Sequence, residues 1–395
     1  MRQPNQGRSE RSRQAVVRLL RERGTLSRAD ISRALGQSPS TVSSLVGSLI
    51  EQGLVVELDG RLPPAGGRAG RPGAAVMLNP ASGEAIGVDF GYRHVHVIIA
   101  DVAHTVRIAK STPLPADYEP SQGLDAAAEL VTAAIQEAGS DTSRILGVGV
   151  GLPCPYDQRS ATPGSGLIPT WAGIPVAAEL GERLGLPVVV DNDANLGLLA
   201  ERQWGAGAGY EELAYIKLHA GVGAAFISSG RLIRGAAGGA GEIGHIVMDG
   251  NGPLCRCGNR GCLESYIGLP NMMRALAPGY GDRITVRDVI TMAWQGDRGC
   301  VRALAEAGAM AGRAVGMLCN ILNPQCVVVG GALAAAGELL MAPLRESAVG
   351  ASLPLSGSTV RITPAALGAQ ASALGAVALV LGQTGAPGAA VPALG

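Results

Sequence analysis

In the N-terminal region, apolar residues recur at helical spacing. Ile31, Ala34 and Leu35 fall at i, i+3 and i+4, and Val42, Leu45, Val46 and Leu49 repeat that spacing one element later. An arginine-rich helix is predicted before them, over residues 9–23. Ser27 with Asp30 three positions on is a capping-box pattern. Gly36 stops that helix, Ser38 followed by Pro39 starts the next, and Gly53 ends it. Two short helices with a brief break between them make a helix-turn-helix. Residues 54–58 read as a strand, Asp59-Gly60 as a hairpin turn, and residues 76–78 as the returning strand.

Beyond Glu84 the periodicity changes to alternating strands and helices, the pattern of an α/β protein. Strands are predicted at 85–90, 95–101 and 106–111, a helix near 125–138, and a strand at 145–150. A similar order recurs past residue 190, with strands at 213–218 and 223–228, a long helix near 302–322 and a strand at 326–329. This predicts two topologically similar halves with a cleft between them. The expected units are a head (1–80), a first lobe (81–190), a second lobe (191–383) and a Gly/Ala/Pro-rich flexible tail (384–395).

Charge sharpens the reading of the head. The chain is neutral overall, yet residues 1–73 hold twelve arginines against six acids. A basic head on an acidic body points to a nucleic-acid-binding module. The outward face of the second helix offers Ser40, Thr41, Ser43 and Ser44, with Ser38 at its start. Small hydroxyl residues let a helix approach the groove and bond phosphates or base edges. The segment PPAGGRAGRPG cannot pack as a core element, and its Arg68 and Arg71 suit a wing inserting into a narrow minor groove. A three-helix bundle and a plain linker are the blander readings of these two features.

No arginine-rich start followed by an apolar run marks a signal peptide. No stretch reaches the roughly 18 apolar residues of a membrane span; residues 368–382 come nearest and are too short and glycine-rich. A cytoplasmic location with no membrane partner is expected. In such a setting, crowded cysteines favour metal over disulfides. His245 with Cys255, Cys257 and Cys262 offers one imidazole and three thiolates, a closed tetrahedral set for structural Zn²⁺. Cys154, Cys300, Cys319 and Cys326 sit in apolar contexts and read as core.

A second constellation comprises Asn192 and Asp193 in DNDAN, Glu242 and His245 in GEIGH, and Glu264 in GCLE. Carboxylates, an amide and an imidazole can bond the adjacent hydroxyls of a sugar ring, and one carboxylate can serve as a general base for phosphoryl transfer. His245 can serve both sites through its two ring nitrogens. For any one of these groups the alternative is a helix cap or a surface charge, and Asp191 reads as a cap. Gly-rich turns follow three strands, at Asp89-Phe90-Gly91, at Gly221-Val222-Gly223 and at Gly330-Gly331. Such turns cradle phosphates but are also routine in α/β folds.

GEIGH followed by CRCGNRGCLE, with DNDAN upstream, resembles the ROK family (repressor, open reading frame, kinase) over nearly the whole chain. The resemblance implies an N-terminal winged helix-turn-helix on a two-lobed actin/hexokinase-like, ribonuclease H-like α/β domain. It implies that Asn192, Asp193, Glu242, His245 and Glu264 contact a sugar. It further implies that His245, Cys255, Cys257 and Cys262 bind zinc, and that Asp193 is the base in a kinase member. The phosphate turns depart from the kinase pattern. Tyr92 and Arg93 stand where kinases carry a small residue and a threonine, and His219-Ala220-Gly221 lacks the hydroxyl of a G-T-G turn. Each lost hydrogen bond to a charged phosphate forfeits about 1.5–3 kcal/mol. Asp89, Gly91, Gly221 and Gly223 are therefore read as vestigial phosphate turns, and ATP is not expected.

Two functions remain open. One is a DNA-binding regulator of carbohydrate metabolism, expected to repress, acting as a dimer or tetramer on a double-stranded operator and answering to a sugar or sugar derivative. The other is an ATP-dependent, glucokinase-like sugar kinase with Asp193 as base. Replacing Arg71 with Ala is expected to weaken DNA binding and lower the slope of log affinity against log salt by about one unit. A slope that stays put in filter-binding or anisotropy titrations would take the wing out of the interface.

Overall fold

The structure is a computed structural model and describes residues 4–62, 73–115, 118–164 and 169–383. The head comprises α1 (Pro4–Arg23), β1 (Leu26–Ser27), α2 (Arg28–Leu35), α3 (Pro39–Glu51), β2 (Val55–Leu62) and β3 (Gly73–Leu78). Its three strands pair in the order β1-β3-β2, which makes a winged helix. The caps fall where the sequence places them. Ser27 and Asp30 bond reciprocally, Gly36 ends α2 in the left-handed conformation, and the Ser38 hydroxyl accepts the Thr41 N–H. One expectation is corrected. Asp59-Gly60 is not the hairpin turn but part of β2, where the register with β3 shifts between Leu58 and Arg61. The chain absorbs those residues as an irregularity in the strand. The tip, with Arg68 and Arg71, lies outside the described residues, as does the tail 384–395.

The first lobe holds β4 (Glu84–Phe90), β5 (His94–Asp101), β6 (Val106–Pro113), α4 (Pro120–Ala138), β7 (Ile145–Leu152), the short pair β8 (Tyr156–Asp157) and β9 (Thr162–Pro163), α5 (Val176–Leu184) and β10 (Val188–Asn192). Helix α6 (Asp193–Trp204) leads into the second lobe. There β11 (Leu213–Leu218), β12 (Val222–Ser228), β13 (Arg231–Ile233), α7 (Leu263–Ile267), α8 (Leu269–Tyr280), α9 (Val286–Trp294), α10 (Arg298–Leu322), β14 (Cys326–Gly330), α11 (Glu338–Ala351), α12 (Pro354–Gly357) and β15 (Arg361–Pro364) follow, before α13 (Ala371–Gln383).

The two lobes repeat one topology. Their sheets run β6-β5-β4-β7-β10 and β13-β12-β11-β14-β15. In each, the first three strands form an antiparallel meander and the last two join parallel to the first. Both faces of the first sheet are covered, which is why β4 and β7 are buried along their whole length. Ile86, Val88 and Phe90 pack with α4 and α5 on one side. Ala85 on the other side joins a cluster containing Val377 and Val380 of α13 and Val16 and Leu20 of α1, so head and first lobe share one apolar core. Each fully buried Val or Leu contributes about 1.5–3 kcal/mol there.

The expected lobe boundary at residue 190 falls inside β10, and α13 returns to the first lobe to pack on β4, β7 and α6. Sequence periodicity carries no record of such a return. Glycine makes the fit possible. A Cβ on Gly87 of β4 would stand 1.9 Å from the Ala373 carbonyl oxygen, and one on Gly375 of α13 would stand 1.8 Å from that of Leu196 in α6. Gly375→Ala is expected to push α13 off α6 and lower stability by about 1–3 kcal/mol. Gly382, in the same helix, has open space at its Cβ position, so Gly382→Ala should be neutral or gain about 0.5–1 kcal/mol. Thermal unfolding of the two variants checks the contrast.

Candidate functional site

The parallel strands of both sheets end at a cleft of about 950 Å³ lined by the two lobes, the place where open α/β sheets bind ligands. The structure brings together all five residues of the sugar-type constellation and all three glycine turns along this cleft. Asn192 caps α6: its side-chain oxygen accepts the Ala194 and Asn195 N–H groups at 2.9 and 3.3 Å, and its amide donates to the Cys154 carbonyl. Asp191, which reads as a cap from sequence, is instead a fully buried counter-ion of Arg234 at 2.7 Å.

Asp193 opens α6, and its Oδ2 accepts a 2.6 Å hydrogen bond from the Lys217 ammonium on β11. Burial raises the Asp193 pKa, and the lysine charge opposes the rise. Burial likewise disfavours the Lys217 charge, but Asp193 and then Asp89 outweigh it and hold the ammonium protonated. Asp89 accepts the Ser372 hydroxyl at 2.6 Å and lies 3.9 Å from the His94 ring. Burial pushes its carboxyl up, yet His94, Lys217 and Ser372 together keep it at about 2. Tyr92 lines the same end of the cleft and is half exposed.

Glu242 is raised to about 7 by burial and by the neighbouring Asp193 and Glu264 carboxylates. Glu264 accepts the Val222 N–H at 3.0 Å and pairs with Arg256 at 2.8 Å. A Cβ on Gly221 would meet that carboxylate at 3.0 Å, whereas Gly223 faces Ala194 at ordinary contact distance. Two charged side chains of the cleft, Lys217 and Arg256, escaped sequence reasoning. A signal for the first existed: the chain has only two lysines, Lys110 and Lys217, and the second interrupts an apolar strand.

His245, Cys255, Cys257 and Cys262 place their donor atoms within 4.8 Å of one another. His245 Nδ1 lies 3.5 Å from Cys255 Sγ, and Cys257 Sγ lies 3.6 Å from Cys262 Sγ. Tetrahedral Zn²⁺ with bonds of 2.0–2.3 Å sets its ligands roughly 3.3–3.8 Å apart, so the set fits that ion. The other ring nitrogen, Nε2, faces Glu242 at 4.0 Å. His245 thus joins the His/Cys cluster to the cleft. On the head, Ser38, Ser40, Thr41, Ser43 and Ser44 are exposed while Val42, Leu45, Val46 and Leu49 are buried, leaving a hydroxyl face on α3.

A winged-helix head on a two-lobed, sugar-kinase-like body is the class these features define. The ROK family model matches residues 85–383 and a MarR family model matches residues 11–69. The chain belongs to the ROK family. It is 30% identical to the xylose repressor of Caldicellulosiruptor bescii over 379 residues, 93% of this chain and 94% of that one. A glucokinase of Thermotoga maritima is 32% identical over 256 residues, 61% of this chain and 81% of that one. Among solved structures, a ROK family transcriptional regulator homologous to E. coli MLC superposes with a TM-score of 0.76 at 23% identity, covering 94% of this chain and 96% of that one. A ROK family glucokinase from Streptomyces griseus in complex with glucose and AMPPNP gives 0.67 at 30% identity, covering 75% and 99%.

Cys257→Ser is expected to lose the metal ion and to loosen the loop that carries Glu264. Elemental analysis of purified protein, with about one zinc per chain in the parent, checks it. Full metal content in the variant would sink the ligand assignment.

Proposed function

We propose that the chain is a sugar-responsive transcriptional repressor of carbohydrate metabolism whose cleft senses its ligand rather than phosphorylating it. The winged helix binds a double-stranded operator, with the hydroxyl face of α3 in the major groove and the wing, Arg68 and Arg71 included, at the minor groove. Two copies, or a pair of dimers, place two such helices about one DNA turn apart on a palindrome. Asn192, Asp193, Glu242, His245 and Glu264 bind the effector's hydroxyls, and a zinc ion on His245, Cys255, Cys257 and Cys262 holds the loop that presents two of them. The protein acts in the cytoplasm; among the described residues no helix is long and apolar enough to cross a membrane. Xylose repressors 28–30% identical over at least 90% of this chain make an aldopentose the first effector to try.

What supports the sensor reading over the kinase one is the phosphate end of the cleft. Tyr92, half exposed, lines it, and His219-Ala220-Gly221 offers no hydroxyl donor there. Asp193 accepts the Lys217 ammonium at 2.6 Å and keeps lone pairs for a ligand hydroxyl, which suits binding. The kinase alternative draws on the glucokinase relative and on the retained Asp193.

The test is anisotropy of the full chain on its own upstream DNA, titrated with aldopentoses and aldohexoses, alongside a truncation beginning near residue 80. Head-dependent, salt-sensitive binding that one sugar weakens is the expected outcome. ATP-dependent turnover of a sugar that vanishes in Asp193→Ala would overturn the sensor reading in favour of the kinase.

A further inference from the structure

Two helices begin at the cleft and end at the head. Helix α6 starts with Asp193, the partner of Lys217, and α13 starts beside Ser372, whose hydroxyl bonds Asp89. With 12 and 13 residues, each spans about 18–20 Å. They are in backbone contact through Gly375 and Leu196. They are tied again through Glu201 of α6, fully buried, whose carboxylate accepts the N–H groups of Ala366 and Leu367 just ahead of α13. The pair cannot shear freely, because every change at one helix meets the backbone of the other.

At the far end both helices grip one residue of the head. The Arg21 guanidinium donates to the Leu381 carbonyl of α13 at 2.5 Å, and the Arg21 carbonyl accepts from the Gln203 amide of α6 at 3.0 Å. Beside this clasp, Trp204 Nε1 donates to His104 Nδ1 at 3.0 Å. Val16, Val17 and Leu20 of α1 continue into the same apolar cluster as Val377, Val380 and Leu381.

We infer that α6 and α13 form the strut that transmits effector binding to the DNA-binding head, with Arg21 and Gln203 as the positioning residues of its far end; this rests on the repressor reading above. A sugar hydroxyl donating to Asp193 adds a second hydrogen bond to the carboxylate that Lys217 already holds, and so bears on the first turn of α6. The strut then carries that displacement to α1 without a sugar contact near the head. Coupling of this kind is a ratio of affinities and is reciprocal: whatever factor the sugar imposes on DNA binding, DNA imposes on sugar binding.

Gln203→Ala, Arg21→Met and the double variant test it, each checked for a parental melting profile. Operator dissociation constants are measured by anisotropy with and without saturating effector, and effector affinity by calorimetry with and without operator. The expected result for Gln203→Ala is sugar affinity and sugar-free operator affinity within about twofold of the parent, with the ratio between liganded and unliganded operator affinity falling at least fivefold toward unity. The double variant falls further, and the effect of DNA on sugar affinity shrinks by the same factor. If the double variant folds and keeps the parental ratio, the strut is wrong while the repressor reading stands. Should Arg21→Met unfold the head, the Gln203→Ala ratio alone decides. A parent protein whose operator affinity no sugar alters overturns the repressor reading and the strut with it.

Discussion

The close seating of α13 against β4 and α6 is the constraint on which the rest of the molecule depends. Helix α13 closes one face of the first sheet, and at two points it packs on its neighbours at distances only a hydrogen-bearing Cα allows. Because α13 also lends Val377, Val380 and Leu381 to the core shared with α1, this one contact fixes the cleft floor and the head together. A looser helix with ordinary side chains at those points would weaken the core that the head shares with the first lobe. Close packing makes the junction a stiff body, and stiff bodies respond to ligands by switching position rather than by yielding locally.

The chemistry of the cleft follows from an unusual distribution of charge. Asp89 and Asp193 come from the first lobe and its outgoing helix, and Lys217 comes from the second. The ion pair therefore ties the lobes across the space where a ligand enters. Removing one partner of this half-buried pair is destabilising, because the other charge loses its nearest answer. Glu242 and Glu264 differ from this pair: burial and mutual repulsion lift Glu242 to about 7, while Arg256 and a backbone N–H occupy Glu264.

Much of this was legible in the sequence where local physics decides. The caps at Ser27 and Ser38, the buried face of α3, the strands of both lobes and the His/Cys cluster all rest on spacings of a few residues. What local spacing cannot show is how distant segments meet. Asn192 takes the cap of α6 because a cap is decided by backbone geometry, while Asp191 finds Arg234 more than forty positions away. Asp59-Gly60 carries the composition of a turn yet lies within β2, since the partner strand continues past it. Residues 368–382 look like a weak membrane candidate because α13 is apolar, and it is apolar because strands, α6 and the head enclose it. Lys217 was the missed opportunity. In a chain that otherwise meets its need for positive charge with arginine, a lysine inside an apolar strand points to a compact ammonium in a confined place.

Lys217 also limits how this cleft can change over generations. A single replacement of the lysine takes from Asp193 its ion-pair partner and from the buried Asp89 one of the charges that stabilise it. Lineages can pass that point more easily by first weakening Asp89 or Asp193, and weakening Asp193 discards the carboxylate that opens α6 at the cleft. The pair therefore acts as a ratchet in sequence space. It is easy to keep and awkward to leave.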